Sequence, residues 1–256
     1  MYKYEMHLHT ADVSPCADAT HEHVVQVYRD FGYTGVNITN HWSREVIHCM
    51  DLGGKSIEAQ ADFFMDSYKR LCEAAGDELS VFCGAEIDLE PNEYLVYNVD
   101  REFLIDLGKN FYKLSPGELA GVAHDHGCLI YRSHPFRCWL NVTSPDFFRS
   151  QDDVIIRDKV DGIEAINYSN DDYFSNDTAL LWAETYKLKT IAGSDYHGKE
   201  RRYMGGIYAE QLICSSADLI DILQNDRYAL VLPDDHTPII GELHPEYRFM
   251  TKKEVK

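Results

Sequence analysis

The chain has 256 residues, a formal net charge of -19 and a hydrophobic fraction of 45%. This length and apolar content are enough for a buried core, which excludes a disordered or fibrous protein. The acidic excess repels nucleic-acid backbones and anionic membrane surfaces, so we expect neither a long duplex nor a membrane as partner. A small anionic substrate stays compatible with this charge, because bound metal ions create local positive charge.

The cysteines are odd in number and dispersed, without a Cys-x-x-Cys pair. Such a set is typical of reduced thiols in a cytoplasm. The first residues lack the apolar core of a signal peptide, and no apolar run approaches the length of a membrane span. We therefore expect a soluble, cytoplasmic protein, and the sequence does not indicate its oligomeric state.

Short apolar segments alternate with amphipathic ones along the chain, without repeats or a linker rich in Pro, Gly or Ser. The predicted strands are 2–6, 35–39, 80–87, 94–99, 128–132, 162–167, 190–193, 206–209 and 228–232. The predicted helices are 20–31, 56–75, 115–126, 176–187 and 216–224. Strands separated by helices indicate parallel pairing, and this many units favours a closed or nearly closed α/β barrel. We expect one domain over residues 1–256, in which 212–256 form a C-terminal helix-strand extension and tail.

Residues of the types that bind metals recur at the ends of the first, second, third, fifth and seventh predicted strands. They are His7, His9, His41, Glu86, His134, Asp195 and His197. In a parallel barrel these positions converge on the rim formed by the C-terminal strand ends, where such barrels build active sites. The sequence therefore predicts a metal site on that rim.

The predicted ligands are imidazoles and carboxylates, which suit zinc, manganese or iron. A carboxylate such as Glu86 can bridge two cations, which together activate a water as hydroxide and hold a phosphoryl oxygen. The chain has no Gly-x-Ser-x-Gly motif for a covalent nucleophile and no glycine-rich nucleotide loop. Hydrolysis by a metal-activated hydroxide is the chemistry that this pattern favours.

Six segments of the chain carry a resemblance to a known family. They are Met6-His-Leu-His-Thr10, Gly35-Val-Asn-Ile-Thr-Asn-His41, Gly84-Ala-Glu-Ile87, Ser133-His-Pro-Phe-Arg137, Asp161-Gly-Ile-Glu-Ala-Ile-Asn167 and Ala192-Gly-Ser-Asp-Tyr-His197. Taken together and in this order, they resemble the PHP family, the polymerase and histidinol phosphatase superfamily. The resemblance covers most of the chain and implies a distorted TIM-like barrel of strand-helix units, the PHP type of fold.

The resemblance also implies two or three divalent metal ions. A first ion would be surrounded by His7, His9, Glu86 and Asp195, a second held by Glu86 and His134, and a third by His41 and His197. The loop after His9 would supply a further ligand of the third ion. Asp12, Cys16 and Asp18 are the candidates there, and Asp18 is preferred for its charge. Glu164 matches the family pattern either as a buried hydrogen-bonding residue or as a residue that orients a ligand histidine.

The chain departs from the family pattern at two positions. Asn40 stands where the family usually has an aspartate before the histidine, and Tyr94 stands where many members have a histidine on the strand after the glutamate. Without that histidine the second ion has fewer ligands. Two ions are therefore expected ahead of three.

Three arginines flank the ligand segments, namely Arg132, Arg137 and Arg202, and we predict that they bind a phosphate group. The resulting hypothesis is a metal-dependent phosphoesterase acting on a small phosphate mono- or diester. Asp195 or His197 would relay a proton to the leaving oxygen. Histidinol-phosphate phosphatase and nucleotide phosphatase or exonuclease are alternatives within this class. An amidohydrolase and a non-catalytic metal-binding accessory domain are alternatives outside it.

Overall fold

The computed structural model describes residues 1–90, 92–137, 160–169, 173–198 and 204–232. The strands in these ranges are β1 (Tyr2–Leu8), β2 (Gly35–Ile38), β3 (His41–Trp42), β4 (Ser80–Asp88), β5 (Glu93–Tyr97), β6 (Leu129–Arg132), β7 (Gly162–Asn167), β8 (Lys189–Gly193), β9 (Ile207–Ala209) and β10 (Tyr228–Leu230). The α-helices are α1 (His21–Asp30), α2 (Arg44–Cys49), α3 (Ile57–Ala75), α4 (Arg101–Leu107), α5 (Pro116–Asp125), α6 (Tyr173–Tyr186) and α7 (Ser216–Gln224).

The strands form one sheet in the order β10-β9-β1-β2-β4-β5-β6-β7-β8, and β3 pairs with β4. The pairs β1/β2, β2/β4, β6/β7 and β7/β8 are parallel. Just beyond β8, Tyr196 forms a parallel bridge to Leu8 of β1, and the His9 N–H donates to the Tyr196 carbonyl at 2.9 Å. The sheet is therefore nearly closed, and the predicted distorted TIM-like barrel is confirmed.

Parallel pairing does not hold throughout the sheet. β5 runs antiparallel to both β4 and β6, and β9 runs antiparallel to β1 and β10. The reversal at β5 follows from the short segment 89–92, where the Leu89 N–H donates to the Asn92 carbonyl at 2.9 Å. A connection this short can join antiparallel strands only. β3, α2 and α4 are further elements that the sequence pattern did not predict.

Helices cover the outside of the barrel with one apolar face. In α3 the buried residues Ala61, Phe64, Leu71 and Ala75 recur at helical spacing, and α1 packs beside them through Val24. Inside the barrel, large side chains such as Met6, Tyr97 and Tyr131 are fully buried. No helix in the described ranges has both the length and the apolar character needed to cross a membrane. This packing fixes the strand ends that carry the site.

Candidate metal centre

Seven of the eight side chains predicted as metal ligands lie at one rim of the barrel. They come from the end of β1 (His7 and His9), from β3 (His41), from β4 (Glu86), and from the segments after β6 (His134) and after β8 (Asp195 and His197). Asp195 has a φ of 48°. This left-handed conformation, which aspartate tolerates better than most residues, turns the chain at the end of β8.

Four of these side chains, which we call the first position (His7, His9, Glu86 and Asp195), are buried and in mutual contact. The Nε2 atoms of His7 and His9 are 3.0 Å apart. Glu86 Oε2 lies 3.2 Å from His7 Nε2 and 3.4 Å from His9 Nε2, and Asp195 Oδ1 lies 3.4 Å and 3.2 Å from the same two atoms. β1 has an irregular register between Glu5 and Leu8. Because the pleat is broken there, His7 and His9 can face the same point.

The charge and hydrogen bonding of the first position fit a cation. Glu86 Oε2 is buried and has no hydrogen-bond partner in the described part of the chain, although it also lies 3.1 Å from His41 Nδ1. A buried carboxylate oxygen without a donor is costly. Three imidazole nitrogens around such an oxygen are a donor set that a divalent metal ion binds. These residues therefore fit the metal that the sequence predicts.

The ionisation of the cluster supports the same interpretation. Burial lowers the pKa of His7, but the carboxylates Glu86, Glu164 and Asp195 outweigh it and raise this pKa well above its usual value. Burial and the neighbouring His41 and His197 keep the pKa of His9 well below its usual value, so His9 is neutral. The site thus attracts a positive charge and offers a deprotonated imidazole, as metal binding requires.

Glu164 of β7 lies behind this cluster and touches it on two sides. Its Oε1 is 2.9 Å from His7 Nδ1, and its Oε2 accepts from the His134 N–H at 2.9 Å and from Asn167 Nδ2 at 2.9 Å. A carboxylate that binds the outer nitrogen of a histidine fixes its tautomer and directs the other nitrogen at a metal. Of the two roles open to Glu164 in the sequence, the geometry supports orientation of a ligand histidine.

A second position (Glu86 and His134) shares the Glu86 carboxylate. Glu86 Oε1 accepts from Ser133 Oγ at 2.6 Å and lies 3.1 Å from His134 Nε2. The two carboxylate oxygens of Glu86 therefore face different groups, Oε2 toward the first position and Oε1 toward the second. This is the arrangement of a carboxylate that can bridge two cations.

Glu93, the first residue of β5, also enters the cluster, although no motif in the sequence predicts it. Its Oε2 lies 3.3 Å from His134 Nε2, and its Oε1 lies 4.0 Å from His41 Nδ1. Burial and the nearby Glu86 raise the pKa of Glu93 to about 7. Neighbouring Tyr94 is fully buried in the core, because successive strand residues face opposite sides of a sheet. The only indication in the sequence that residue 93 enters the cluster is that it is acidic and directly precedes Tyr94, where the chain departs from the family pattern.

The third position (His41 and His197) adjoins His9, whose ring stacks on both with centroid distances of 4.3 Å and 4.4 Å, and the His41 and His197 centroids are 6.1 Å apart. The choice of Asp18 as its further ligand is not borne out by the geometry. Asp18 is exposed, and its backbone N–H donates to the His197 carbonyl at 2.8 Å. Cys16 is the loop side chain that hydrogen-bonds to His197 and lines the same pocket.

The three arginines predicted to bind phosphate have different surroundings. Arg137 lines the pocket, forms an ion pair with Asp195 and donates to Asn167 Oδ1 at 2.9 Å. Arg132 is buried, and its guanidinium donates to the Glu93 carbonyl at 2.5 Å and to Asn92 Oδ1 at 2.7 Å. Its prediction as a substrate residue is therefore corrected, since these donors hold the start of β5. Arg202 lies outside the described residues.

Asn40, the other departure from the family pattern, belongs to a buried polar network. Its Oδ1 accepts from the Thr10 N–H at 2.7 Å, and its Nδ2 donates to Thr10 Oγ1 at 2.8 Å and to Ser67 Oγ at 3.1 Å. Both hydroxyls donate onward to Asp12 Oδ1, at 2.7 Å and 2.8 Å. The negative charge that the family pattern has at residue 40 is thus supplied here by Asp12. Both the oxygen and the nitrogen of the Asn40 amide have hydrogen-bond partners.

A pocket of about 390 Å³ opens onto the cluster. Its lining includes His41, Glu93, Arg137, Asp195 and His197. The volume lies within the range of pockets that bind small molecules. The arrangement therefore gives a small ligand direct access to the groups that fit metal ions.

Comparisons with known proteins give a likeness in fold. No protein-family profile and no curated protein sequence matches the chain. Among solved structures, the chain is similar to a candidate metal-dependent phosphoesterase of Bifidobacterium adolescentis ATCC 15703, with a TM-score of 0.51, 16% identity, and 86% of this chain and 95% of that chain covered.

Two further structures are similar. A two-domain protein of Bacteroides vulgatus ATCC 8482, containing a predicted PHP-like metal-dependent phosphoesterase, gives a TM-score of 0.53 and 18% identity over 90% of this chain and 64% of that chain. An amidohydrolase of Chromobacterium violaceum gives a TM-score of 0.46 and 13% identity over 76% of this chain and 87% of that chain. The first two structures support the fold that the resemblance to the PHP family implies.

Proposed function

We propose that the protein is a metal-dependent phosphoesterase that hydrolyses a small phosphate mono- or diester. The observation that carries this proposal is the buried Glu86 Oε2, which lies 3.1–3.4 Å from nitrogens of His7, His9 and His41 without a hydrogen-bond partner in the described ranges. The cluster lies at the strand ends where barrels of this type carry out chemistry. The likeness in fold to PHP-type proteins supports the same class.

The first ion would be held by His7, His9, Glu86 and Asp195, and the second position shares Glu86. When bound, zinc, manganese or iron ions would activate water and neutralise charge on a phosphoryl group. The chain itself supplies the mixture of imidazoles and carboxylates on which such ions depend. Two ions are proposed, with the third position as a further site.

Arg137 and His197 are the side chains best placed to act on the substrate itself. Arg137 lines the pocket, and a guanidinium can donate two parallel N–H bonds to a phosphate. His197 Nδ1 lies 2.9 Å from the Asp195 carbonyl, which holds the ring in the lining of the pocket. A histidine held in this way can give a proton to a leaving oxygen. Asp195 is less suited, because its oxygens already contact His7, His9 and Arg137.

The amidohydrolase alternative receives less support. Such enzymes commonly bridge their metals with a carboxylated lysine, whereas Glu86 occupies the bridging place here. No lysine is among the described residues that line the pocket. An accessory role without catalysis remains the second alternative to be tested.

The test is metal analysis combined with a substrate panel on wild type, His9→Ala and the control His48→Ala, which changes an exposed histidine. The panel contains a generic phosphomonoester, a generic phosphodiester, nucleotides, histidinol phosphate and a cyclic amide. We expect wild type and the control to bind metal and to hydrolyse a phosphate ester, and His9→Ala to lose both properties. Metal-replete wild type that is inert toward every phosphate ester, or that hydrolyses the amide faster, would contradict the proposal.

A further inference from the structure

Glu93 is the acidic side chain of the cluster that no motif of the sequence assigned. Its Oε2 and Glu86 Oε1 lie 3.3 Å and 3.1 Å from the same atom, Nε2 of His134. Its other oxygen lies 4.0 Å from His41 Nδ1. Two carboxylates and one imidazole thus converge at the second position, where the family pattern gave only Glu86 and His134.

We propose that Glu93 is a metal ligand that completes the second position with Glu86 and His134, in place of the histidine missing at Tyr94. The inference rests on the proposed function only in treating the cluster as a metal centre. It removes the reason for expecting the second ion to be weak, because three side chains then surround it. Glu93 precedes Tyr94 by one residue, and its side chain lies on the opposite face of β5.

The position of Glu93 is fixed by the strands on both sides. β5 pairs antiparallel with β4, with Glu93 opposite Asp88 and Tyr94 opposite Ile87. On the other side, Arg132 of β6 donates to the Glu93 carbonyl at 2.5 Å, while its guanidinium lies 5.3 Å from the Tyr94 ring centroid. Arg132 therefore acts as a positioning residue, because it holds the backbone from which the Glu93 carboxylate reaches the cluster.

The exchange of an imidazole for a carboxylate changes the metal preference of this position. A neutral histidine ligand is replaced by an anionic oxygen ligand, so the second position has two carboxylates and a single imidazole. Oxygen ligands suit harder ions such as manganese, whereas imidazole also suits zinc. The second position of this chain should therefore select manganese over zinc more strongly than a position with a histidine in place of Glu93.

The experiment measures metal stoichiometry and affinity, not turnover. Wild type, Glu93→Gln, Glu93→His and the control Glu184→Gln are titrated with Mn²⁺ and Zn²⁺ in chelator-buffered solution. Glu184 is an exposed acidic residue outside the cluster. We expect Glu93→Gln to bind the second ion more than about 100-fold more weakly than wild type and to retain the first ion. Changing a residue that only orients a ligand weakens metal binding by about 10–100-fold, so a larger loss indicates a direct ligand. Glu93→His should restore binding of the second ion with a shift in preference toward Zn²⁺, and Glu184→Gln should resemble wild type.

Two results with Glu93→Gln would overturn the inference: binding of the same number of ions with wild-type affinity, or equal loss of both ions. Circular dichroism verifies the fold of each variant, and Glu93→His decides the matter if Glu93→Gln does not fold. A histidine variant that folds and fails to recover the second ion would also contradict the ligand role. If the proposed function is wrong, wild type shows no phosphoester turnover, but the metal stoichiometries of wild type and the variants are still as predicted here. The failure of the proposed function can therefore be distinguished from the failure of this inference.

Discussion

The first and second positions share Glu86 but are built in different ways. The four residues of the first position are almost completely buried and lie at or just beyond the C-terminal ends of β1, β4 and β8, each of which pairs in parallel with a neighbouring strand. Beside the second position, Glu93 has 27% of its side chain exposed and begins the antiparallel strand β5. Ligands at the C-terminal ends of parallel strands can be identified from the sequence, whereas a residue that begins an antiparallel strand follows no such rule.

Glu164 also contacts the two positions in different ways. Glu164 contacts a ring nitrogen of His7 in the first position, but only the backbone N–H of His134 in the second. A ring contact sets the tautomer and basicity of the ligand, whereas a backbone contact sets only the path of the chain. The first position should therefore depend more strongly on Glu164.

The largest expected effect comes from Glu164→Gln. Loss of the carboxylate behind His7 should weaken binding of the first ion by about 10–100-fold and binding of the second ion by less. A residue that hydrogen-bonds to a ligand histidine contributes to metal affinity on that scale. Metal titration against a competing chelator measures both affinities. Glu184→Gln, which changes an exposed acid, is the control and should change neither. Equal weakening of both ions would show that the two positions are not supported differently.

Gly193→Ala tests the packing behind the first position. A Cβ at Gly193 would lie 2.5 Å from His7 Cβ and would also meet Glu164 Oε1. We expect a loss of about 1–3 kcal/mol in the free energy of unfolding, as in overpacked cores, together with a weaker first ion. Gly53→Ala, where nothing lies within 4 Å of the new Cβ, is the matched control. Equal free energies of unfolding for the two variants in urea would refute the tight packing.

Asp12→Asn tests the polar network that lies behind His9 and His41. Burial would raise the pKa of Asp12, but hydrogen bonds from His21, Thr10 and Ser67 lower it from 3.8 to about 2. The folded state thus favours the ionised carboxyl, which contributes about 2 kcal/mol at neutral pH, and this contribution is lost as the pH falls from about 4 to about 2.

The measurement for Asp12 is the free energy of unfolding of wild type and Asp12→Asn across this pH range. The difference between them should be largest near pH 7 and should shrink below about pH 4. Asp77→Asn, which changes an exposed acid, is the control and should show a small difference that does not depend on pH. A wild-type advantage that stays constant down to pH 2 would contradict the role of the ionised carboxyl.

The fold could largely be predicted because hydrophobic periodicity reports elements that bury one face. The predicted helix over 216–224 coincides with α7, and the predicted strand over 162–167 coincides with β7. The two-residue strand β3 and the six-residue helix α2 are too short to produce such a period. The antiparallel direction of β5 depends on the short connection between β4 and β5, which the alternation of predicted strands and helices did not reveal.

The candidate site could be predicted where a motif and a strand end coincide, as at His7 and Asp195. It could not be predicted where tertiary packing decides which neighbour faces the cluster. Glu93 and Tyr94 are adjacent, and only the register of β5 determines that the carboxylate faces the cluster while the ring is buried in the core. Likewise, a charge beside a motif does not reveal that Arg132 binds the backbone of β5. Metal binding by these residues stays a prediction.

Anomalous diffraction from crystals loaded with Mn²⁺ or Zn²⁺ tests the central claim most directly. The account predicts a strong peak within bonding distance of His7 Nε2, His9 Nε2, Glu86 Oε2 and Asp195 Oδ1. It also predicts a second peak beside Glu86 Oε1, His134 Nε2 and the Glu93 carboxylate. Fully loaded crystals without a peak at the first position would contradict the account, whatever activity the protein has.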